Sequence, residues 1–312
     1  MSAEPRLSTR ELIKAKSIFL SKARQFFYER GVIEVISPPL RKAPPTDLHL
    51  DHFVCQAFQD DEIFYMHSSP EYHMKQMLME GVGDVFQVCQ VARGNEYGSW
   101  HSKSFLMLEW YRLQMNTQKL MLEVYDLVKT LYDKNIPLIK YSYQQSYAQA
   151  LGVPNIHSLN TDDLRGLCLQ NGCGICDSWS ENDCLDFLMT NVVEQQIDKI
   201  PLLIIYDYPA SQAALAKTKT NANGDLVADR FEVYSFGIEI GNGYNELTCF
   251  KEHLSRFEAD QSLRQANNKP IYAIDLDFVS DLKNKGMPNA AGIAMGFDRL
   301  FALALGAKHL LL

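Results

Sequence analysis

The segment Phe105-Leu106-Met107-Leu108-Glu109-Trp110-Tyr111-Arg112 carries a ring, a carboxylate and a phenol at alternate positions. In a strand, the two-residue period sends Phe105, Met107, Glu109 and Tyr111 to one face and Leu106, Leu108 and Trp110 to the other. The second face suits a core. The first suits a flat base and a cationic group, although an ordinary half-exposed strand has the same alternation. Arg93 lies across a polar loop, where charge-assisted bonds to a phosphate or carboxylate are within its chemistry. His101 sits in that loop, within reach of a phosphate.

A second constellation is the hairpin Phe231-Glu232-Val233-Tyr234-Ser235-Phe236-Gly237-Ile238-Glu239-Ile240. A turn centred between Ser235 and Phe236 is expected to pair Glu232 with Glu239 at about 5 Å, where like charges need a cation between them. Hard oxygen ligands at that spacing suit Mg²⁺ shared with phosphates; a solvent-facing pair separated by water is the other reading. Gly241-Asn242-Gly243 then lets a ligand approach the backbone, and Glu246 adds a carboxylate. Glu71, Glu109 and Glu246 together suit a substrate ammonium.

Downstream, Gly292-Ile293-Ala294-Met295-Gly296-Phe297-Asp298-Arg299-Leu300 reads as a small-residue strand entering a helix, with Arg299 in the first turn. A helix start favours anions, and an arginine there strengthens the preference for a polyphosphate. Walker A and GxGxxG patterns are absent, which argues against a P-loop or Rossmann site. Cys168, Cys173, Cys176 and Cys184 include one C-x-x-C, but the other spacings match no standard zinc pattern, so buried or idle thiols are expected.

The elements that must position these groups are legible as patterns. Residues 8–30 read as an amphipathic helix with a Ser8/Glu11 capping box, ended by Gly31. A short strand over 32–37 stops at Pro38-Pro39. Ser68-Ser69-Pro70-Glu71 opens a helix with Pro at its first position, running to Gly81. A long hairpin over 84–112 is broken by a loop at 94–103. Helices are expected over 116–134 and most of 160–199, a buried strand over 201–206, a hairpin over 231–248, a helix over 251–267 and a last helix from about 298. Helices on a largely antiparallel sheet make an α+β class.

Composition bounds the function. With 46% hydrophobic and 22% charged residues, the 312-residue chain is neither disordered nor of low complexity. Its net charge of −8 argues against a stable nucleic acid partner. The longest apolar stretch, 290–307, holds Asp298 and Arg299, so no membrane span is expected. Seven cysteines without a secretory context suggest reduced thiols in the cytoplasm.

The order of these segments resembles the catalytic core of class II aminoacyl-tRNA synthetases, most closely the lysyl branch. Motif 1 is matched by Arg30-Gly31-Val32-Ile33-Glu34-Val35 through Pro38-Pro39-Leu40. Motif 2 is matched by Arg93 through His101, Phe105 and Glu109, and motif 3 by Gly296-Phe297-Asp298-Arg299-Leu300. Motif 1 begins within about thirty residues of Met1, leaving no room for an anticodon-binding barrel, so residues 1–312 are expected to be one catalytic domain. A stand-alone core is similar to the elongation factor P lysine ligase family, as are Ser69-Pro70-Glu71-Tyr72-His73-Met74-Lys75 and Ala294. One methyl in a pocket wall shifts preference between α- and β-amino acids by roughly 1 to 3 kcal/mol.

The resemblance implies an ATP-dependent ligase that activates lysine, or (R)-β-lysine, and transfers it to elongation factor P, with ATP and Mg²⁺ as cofactors. A truncated paralogue that charges tRNA and a catalytically silent regulatory protein are the alternatives. Arg93 and Arg299 would hold the ATP phosphates and act in catalysis, and Phe105 would stack on adenine. Gly94, Asn95, His101, Ser102, Glu239, Ile240 and Gly296 would complete the nucleotide site. Asn95 replaces the motif's usual Glu, its amide oxygen accepting from the adenine amino group. Glu232 and Glu239 would hold Mg²⁺. Ser69, Pro70, Glu71, Glu109, Tyr111, Asn242, Glu246 and Ala294 would form the amino-acid pocket. A homodimer through motif 1 is implied.

Overall fold

The structure is a computed structural model that describes residues 7–59 and 61–311. Ser8 caps α1 (Thr9–Tyr28): its hydroxyl accepts from the Glu11 amide, and the Glu11 carboxylate accepts from the Ser8 amide at 2.8 Å. Gly31 leaves the helix with a φ of +68°. The expected strand over 32–37 shrinks to β1 (Ile33–Glu34), its ladder ending ahead of the prolines. β2 (Leu40–Arg41), β3 (Val54–Gln56) and β4 (Ile63–Met66) form a small sheet of their own, in the order β2-β4-β3.

Pro70 occupies the cap position of α2 (Glu71–Met79), one residue earlier than the sequence pattern suggests, and Ser69 Oγ accepts from the Glu71 amide at 3.0 Å. The long hairpin is β5 (Val85–Ala92) and β6 (Ser104–Leu113). There follow α3 (Thr117–Tyr132), β7 (Ile139–Ser142), α4 (Tyr143–Leu151), α5 (Thr161–Gln170) and α6 (Glu181–Leu188). A wider π-helical turn, Met189–Val193, then joins α6 to the short α7 (Glu194–Gln196). β8 (Leu203–Pro209), β9 (Thr218–Thr220), β10 (Leu226–Ser235) and β11 (Ile238–Asn245) come next, followed by α8 (Phe250–Ala266), α9 (Leu276–Asn284), β12 (Ala290–Gly296) and α10 (Phe297–Ala304). The pattern reading did not anticipate α9.

The main sheet runs β1-β5-β6-β12-β11-β10-β8-β7, with β9 beside β10. Only its outer pairs, β1 with β5 and β7 with β8, are parallel. This is the α+β arrangement expected.

One face of the sheet is dry. Leu108 and Trp110 of β6 pack there with Phe27 of α1, Val124 of α3 and Phe301 of α10. Phe27 stacks on Phe86 at 4.6 Å between ring centres, and Phe19 meets Phe297 edge-on at 5.3 Å. Each such buried ring contributes about 1.5–3 kcal/mol. The opposite face is bordered by α2, α8 and α9, whose own core holds Tyr72, Phe257 and Phe278. A third core, under β7 and β8, gathers α4, α5 and α6 around Tyr143, Tyr147 and the buried Cys168, Cys176 and Cys184.

Candidate active site

Directly paired residues of neighbouring strands share a face, so the ladder register decides which side chains meet. Gln87, Glu109, Ala294, Asn242 and Glu232 form one such row across five strands. Tyr111, Gly292, Tyr244 and Arg230 form the next row. The middle of these rows, Glu109, Ala294 and Asn242 with Tyr111, Gly292 and Tyr244, floors a cavity of about 520 Å³ roofed by the segment around Ser69, by α8 and by the loop after β5. Phe105, Met107, Glu109 and Tyr111 all line it, as the strand period predicts, and Trp110 is fully buried on the other face.

At one end the cavity is acidic. Glu109 accepts from Ser69 Oγ and from the Tyr111 hydroxyl, each at 2.6 Å. Burial, reinforced by the charge of Glu71, pushes the Glu109 carboxyl up to about 8. Lys75 is wholly buried, and its Nζ lies 2.5 Å from Glu71 Oε1 and 2.6 Å from Glu246 Oε2. Burial alone would lower the Lys75 pKa, but Glu246 and Glu71 outweigh it and hold the ammonium above its ordinary range. Gly292 makes room for this cluster: a methyl there would fall 2.7 Å from Glu246 Oε1.

The other end is cationic. Arg299, in the first turn of α10, donates from Nε to the Trp100 carbonyl at 2.9 Å and from Nη1 to the Glu239 carbonyl at 2.8 Å. Asp298 fixes that turn, accepting from the Leu106 amide at 2.8 Å and pairing with Lys16 of α1 at 2.7 Å. Arg93 donates from Nε to the Ser68 carbonyl at 3.2 Å and lies 5.4 Å from the centre of the Phe105 ring. Burial, then the charge of Arg299, lowers the His101 pKa, which leaves its ring neutral near pH 7.

Of the residues singled out in the sequence, Ser69, Glu71, Arg93, His101, Ser102, Phe105, Glu109, Tyr111, Glu239, Ile240, Asn242, Glu246, Ala294, Gly296 and Arg299 line the one cavity. Pro70, Gly94, Asn95 and Glu232 are not on its wall. Pro70 is buried at the start of α2, and Gly94 bonds through its amide to the Asp51 carbonyl at 2.7 Å. Asn95 is exposed and donates to the Asp51 carboxylate, so the neighbouring Glu96 takes the wall, 3.8 Å from Arg93 and 3.5 Å from His101.

The expected pairing of Glu232 with Glu239 is corrected. The turn is Phe236-Gly237, both with positive φ as a two-residue hairpin turn requires, and a bulge follows at Val233/Tyr234. Glu239 therefore faces Tyr234, and Glu232 faces Asn242. Glu232 is held by Arg230 and by the hydroxyls of Tyr208 at 2.6 Å and Tyr234 at 2.7 Å. Glu239 stays on the wall, its carboxyl pushed up to about 7 by burial and then by the charge of Glu232. Of the two expected Mg²⁺ ligands, then, only Glu239 faces the cavity, where a cation beside substrate phosphates could meet it, while Glu232 is already engaged by Arg230 and two tyrosines.

Among the described residues no helix is long and apolar enough to cross a membrane, and no three potential metal ligands cluster, the cysteines included. Sequence reasoning missed Lys75, Glu96, Tyr244 and Gly292. Of these, Lys75 carried a signal: it lies four residues after Glu71, on the same face of α2.

The family model for class II tRNA synthetases of the D, K and N types matches residues 4–310. The chain is similar to proteins named elongation factor P--(R)-beta-lysine ligase. It is 37% identical over 311 residues to the one from Haemophilus ducreyi, covering 98% of this chain and 93% of that protein. To the Salmonella arizonae protein it is 39% identical over 312 residues, covering 98% and 94%. For Mannheimia succiniciproducens the identity is 40% over 296 residues, covering 93% and 90%.

Proposed function

Because the chain belongs to the class II tRNA synthetase family of the D, K and N types, we propose that it activates a diamino acid with ATP and passes it to a protein amine. Given the names of its relatives, the amino acid is (R)-β-lysine and the acceptor is elongation factor P, with a lysine ε-amine of that factor as the attacking nitrogen. The observation that carries this reading is the polarity of the cavity. Glu71, Glu109 and Glu246 form an ammonium-binding end, and Arg93 and Arg299 form a phosphate-binding end.

In the first step the amino acid carboxylate attacks the α-phosphorus of ATP in line and pyrophosphate leaves. In the second, the acceptor amine attacks the adenylate carbonyl, AMP leaves and an amide forms. Neither step needs a side-chain nucleophile. Arg93 and Arg299 stabilise charge on the phosphates, Phe105 supports the base, and the acidic end aligns the amino acid. Glu96, beside Arg93, is suited to accept from the base's amino group. Glu239, with Glu232 behind it, would hold Mg²⁺, which when bound neutralises phosphate charge.

We read residues 1–312 as one catalytic unit working in the cytoplasm as a homodimer, without a stable nucleic acid partner. The apolar side chains exposed on α1 and just beyond β1, with Ile18 at 60% and Ile36 at 89%, support docking of a second copy there.

The test is amino-acid-dependent ATP–pyrophosphate exchange with (R)-β-lysine, α-lysine and other amino acids, followed by transfer of the radiolabelled amino acid to elongation factor P or to tRNA. Exchange highest with β-lysine and label on the factor are expected. Strong tRNA charging with no label on the factor overturns the reading. Absence of exchange with every amino acid would favour a silent binding protein.

A further inference from the structure

Lys75 is a lysine buried behind the acidic wall of the pocket read above as a lysine pocket, in contact with two of its carboxylates. It projects from α2 one turn beyond Glu71 and is 0% exposed. Its Nζ bridges Glu71 of the same helix and Glu246, the residue after β11. The charged and titratable groups that this ammonium acts with are Glu71, Glu246 and Glu109, the last bonded to Tyr111, with His253 of α8 behind. Burial, and then the Lys75 charge, lowers His253 to about 4, so its ring is neutral near pH 7. Lys217 also acts on Glu246, and its own Nζ donates to Asn289.

The charge count is informative. Once the ammonium groups of a bound diamino acid favour the ionised forms of the carboxyls, three carboxylate charges at the acidic end stand against one resident ammonium, which leaves two negative charges for the substrate to meet. A diamino acid brings two ammonium groups, while its carboxylate goes toward the ATP end. Without Lys75 the same diamino acid would leave one buried carboxylate uncompensated, which is costly in a low-dielectric pocket. The ion pairs also fix where the Glu71 and Glu246 oxygens point.

We propose that Lys75 is a positioning residue that sets substrate specificity: it neutralises one of the three pocket carboxylates, matches the remaining charge to a diamino acid, and orients Glu71 and Glu246 to receive it. This rests on the functional reading above and deepens it. Lys75 touches the carboxylates and acts through them.

The test compares exchange kinetics of the full chain with Lys75→Met, Lys75→Arg and the paired Lys75→Met/Glu246→Gln. In Lys75→Met the KM for the diamino acid should rise about thirty-fold, with the KM for ATP within about two-fold of wild type. Its pH profile should move to higher pH, because the unneutralised carboxylates hold their protons longer. The paired variant should return the profile toward that of wild type. Lys75→Arg keeps the charge, so it should keep the wild-type pH profile while raising the KM for the diamino acid through altered geometry.

An unchanged pH profile in Lys75→Met, with kcat alone reduced, would reduce Lys75 to a packing role and overturn the proposal. If Lys75→Met does not fold, an unchanged KM in Lys75→Arg overturns it instead. Wild-type protein that activates no diamino acid would sink the functional reading itself, an outcome distinct from either of these.

Discussion

Gly292 is paired with Tyr111 across β12 and β6, and a methyl group built on Gly292 would fall 2.4 Å from two carbons of the Tyr111 ring. The ring cannot retreat as a flexible chain end would, because its hydroxyl is engaged with Glu109. Gly292→Ala should therefore cost about 1–3 kcal/mol of stability. It should also raise the KM for the amino acid at least ten-fold, roughly the effect of 1.4 kcal/mol, and leave the KM for ATP unchanged. Denaturant titration and exchange kinetics measure the two effects separately.

Glu109 makes amino acid binding depend on pH. Its carboxyl, at about 8 against an ordinary 4.5, is protonated in the empty pocket at pH 7, chiefly because it is buried and then because Glu71 lies close. An arriving ammonium favours the ionised form, so binding should release a proton and tighten between about pH 6 and 8. Calorimetry in buffers of different ionisation enthalpy reads that proton, and Glu109→Gln should abolish its release. For the empty protein the sign is opposite. The raised carboxyl contributes stability that is full below 4.5 and is lost as pH climbs through about 8.

Arg299 holds two carbonyls, those of Trp100 and Glu239, with one planar group. A lysine has a single nitrogen and cannot keep both bonds while meeting a phosphate. Arg299→Lys should lower kcat/KM for ATP by about 10²–10³, the usual cost of losing an aligned donor. Exchange at varied ATP concentration checks this, and a loss of less than about five-fold would contradict the role.

Cysteine reactivity should follow burial. Cys249 is exposed, whereas Cys168 and Cys184 are fully buried in the third core. Burial pushes the Cys168 thiol up to about 12. Timed alkylation read by peptide mass spectrometry should label Cys249 first and Cys168 and Cys184 last.

Much of this was legible in the residues themselves because the signals are local. The Ser8/Glu11 box needs only a helix start, and the two faces of β6 need only the strand period. The hairpin register was not legible, since it turns on Phe236 adopting a φ of +50°, a conformation that a bulky residue seldom takes. The bulge at Val233 then displaced Glu232 by one more place. Asn95 turned away because Asp51, distant in sequence, offered it a partner. Lys75 was passed over because a lysine within a helix ordinarily faces solvent, and only the tertiary arrangement brings Glu246 to it.

The bond from the Leu106 amide to Asp298 joins residues 192 apart in the chain. The strands between them carry the floor of the cavity, so its two ends meet only after β6 and β12 have closed that long loop. Loop closure of this length is paid before the contacts it permits are made, which places it late in folding. A refolding chain should recover its helical circular dichroism well before it recovers pyrophosphate exchange. During synthesis on the ribosome, the chain should bind neither ATP nor amino acid until β12 and α10 have emerged.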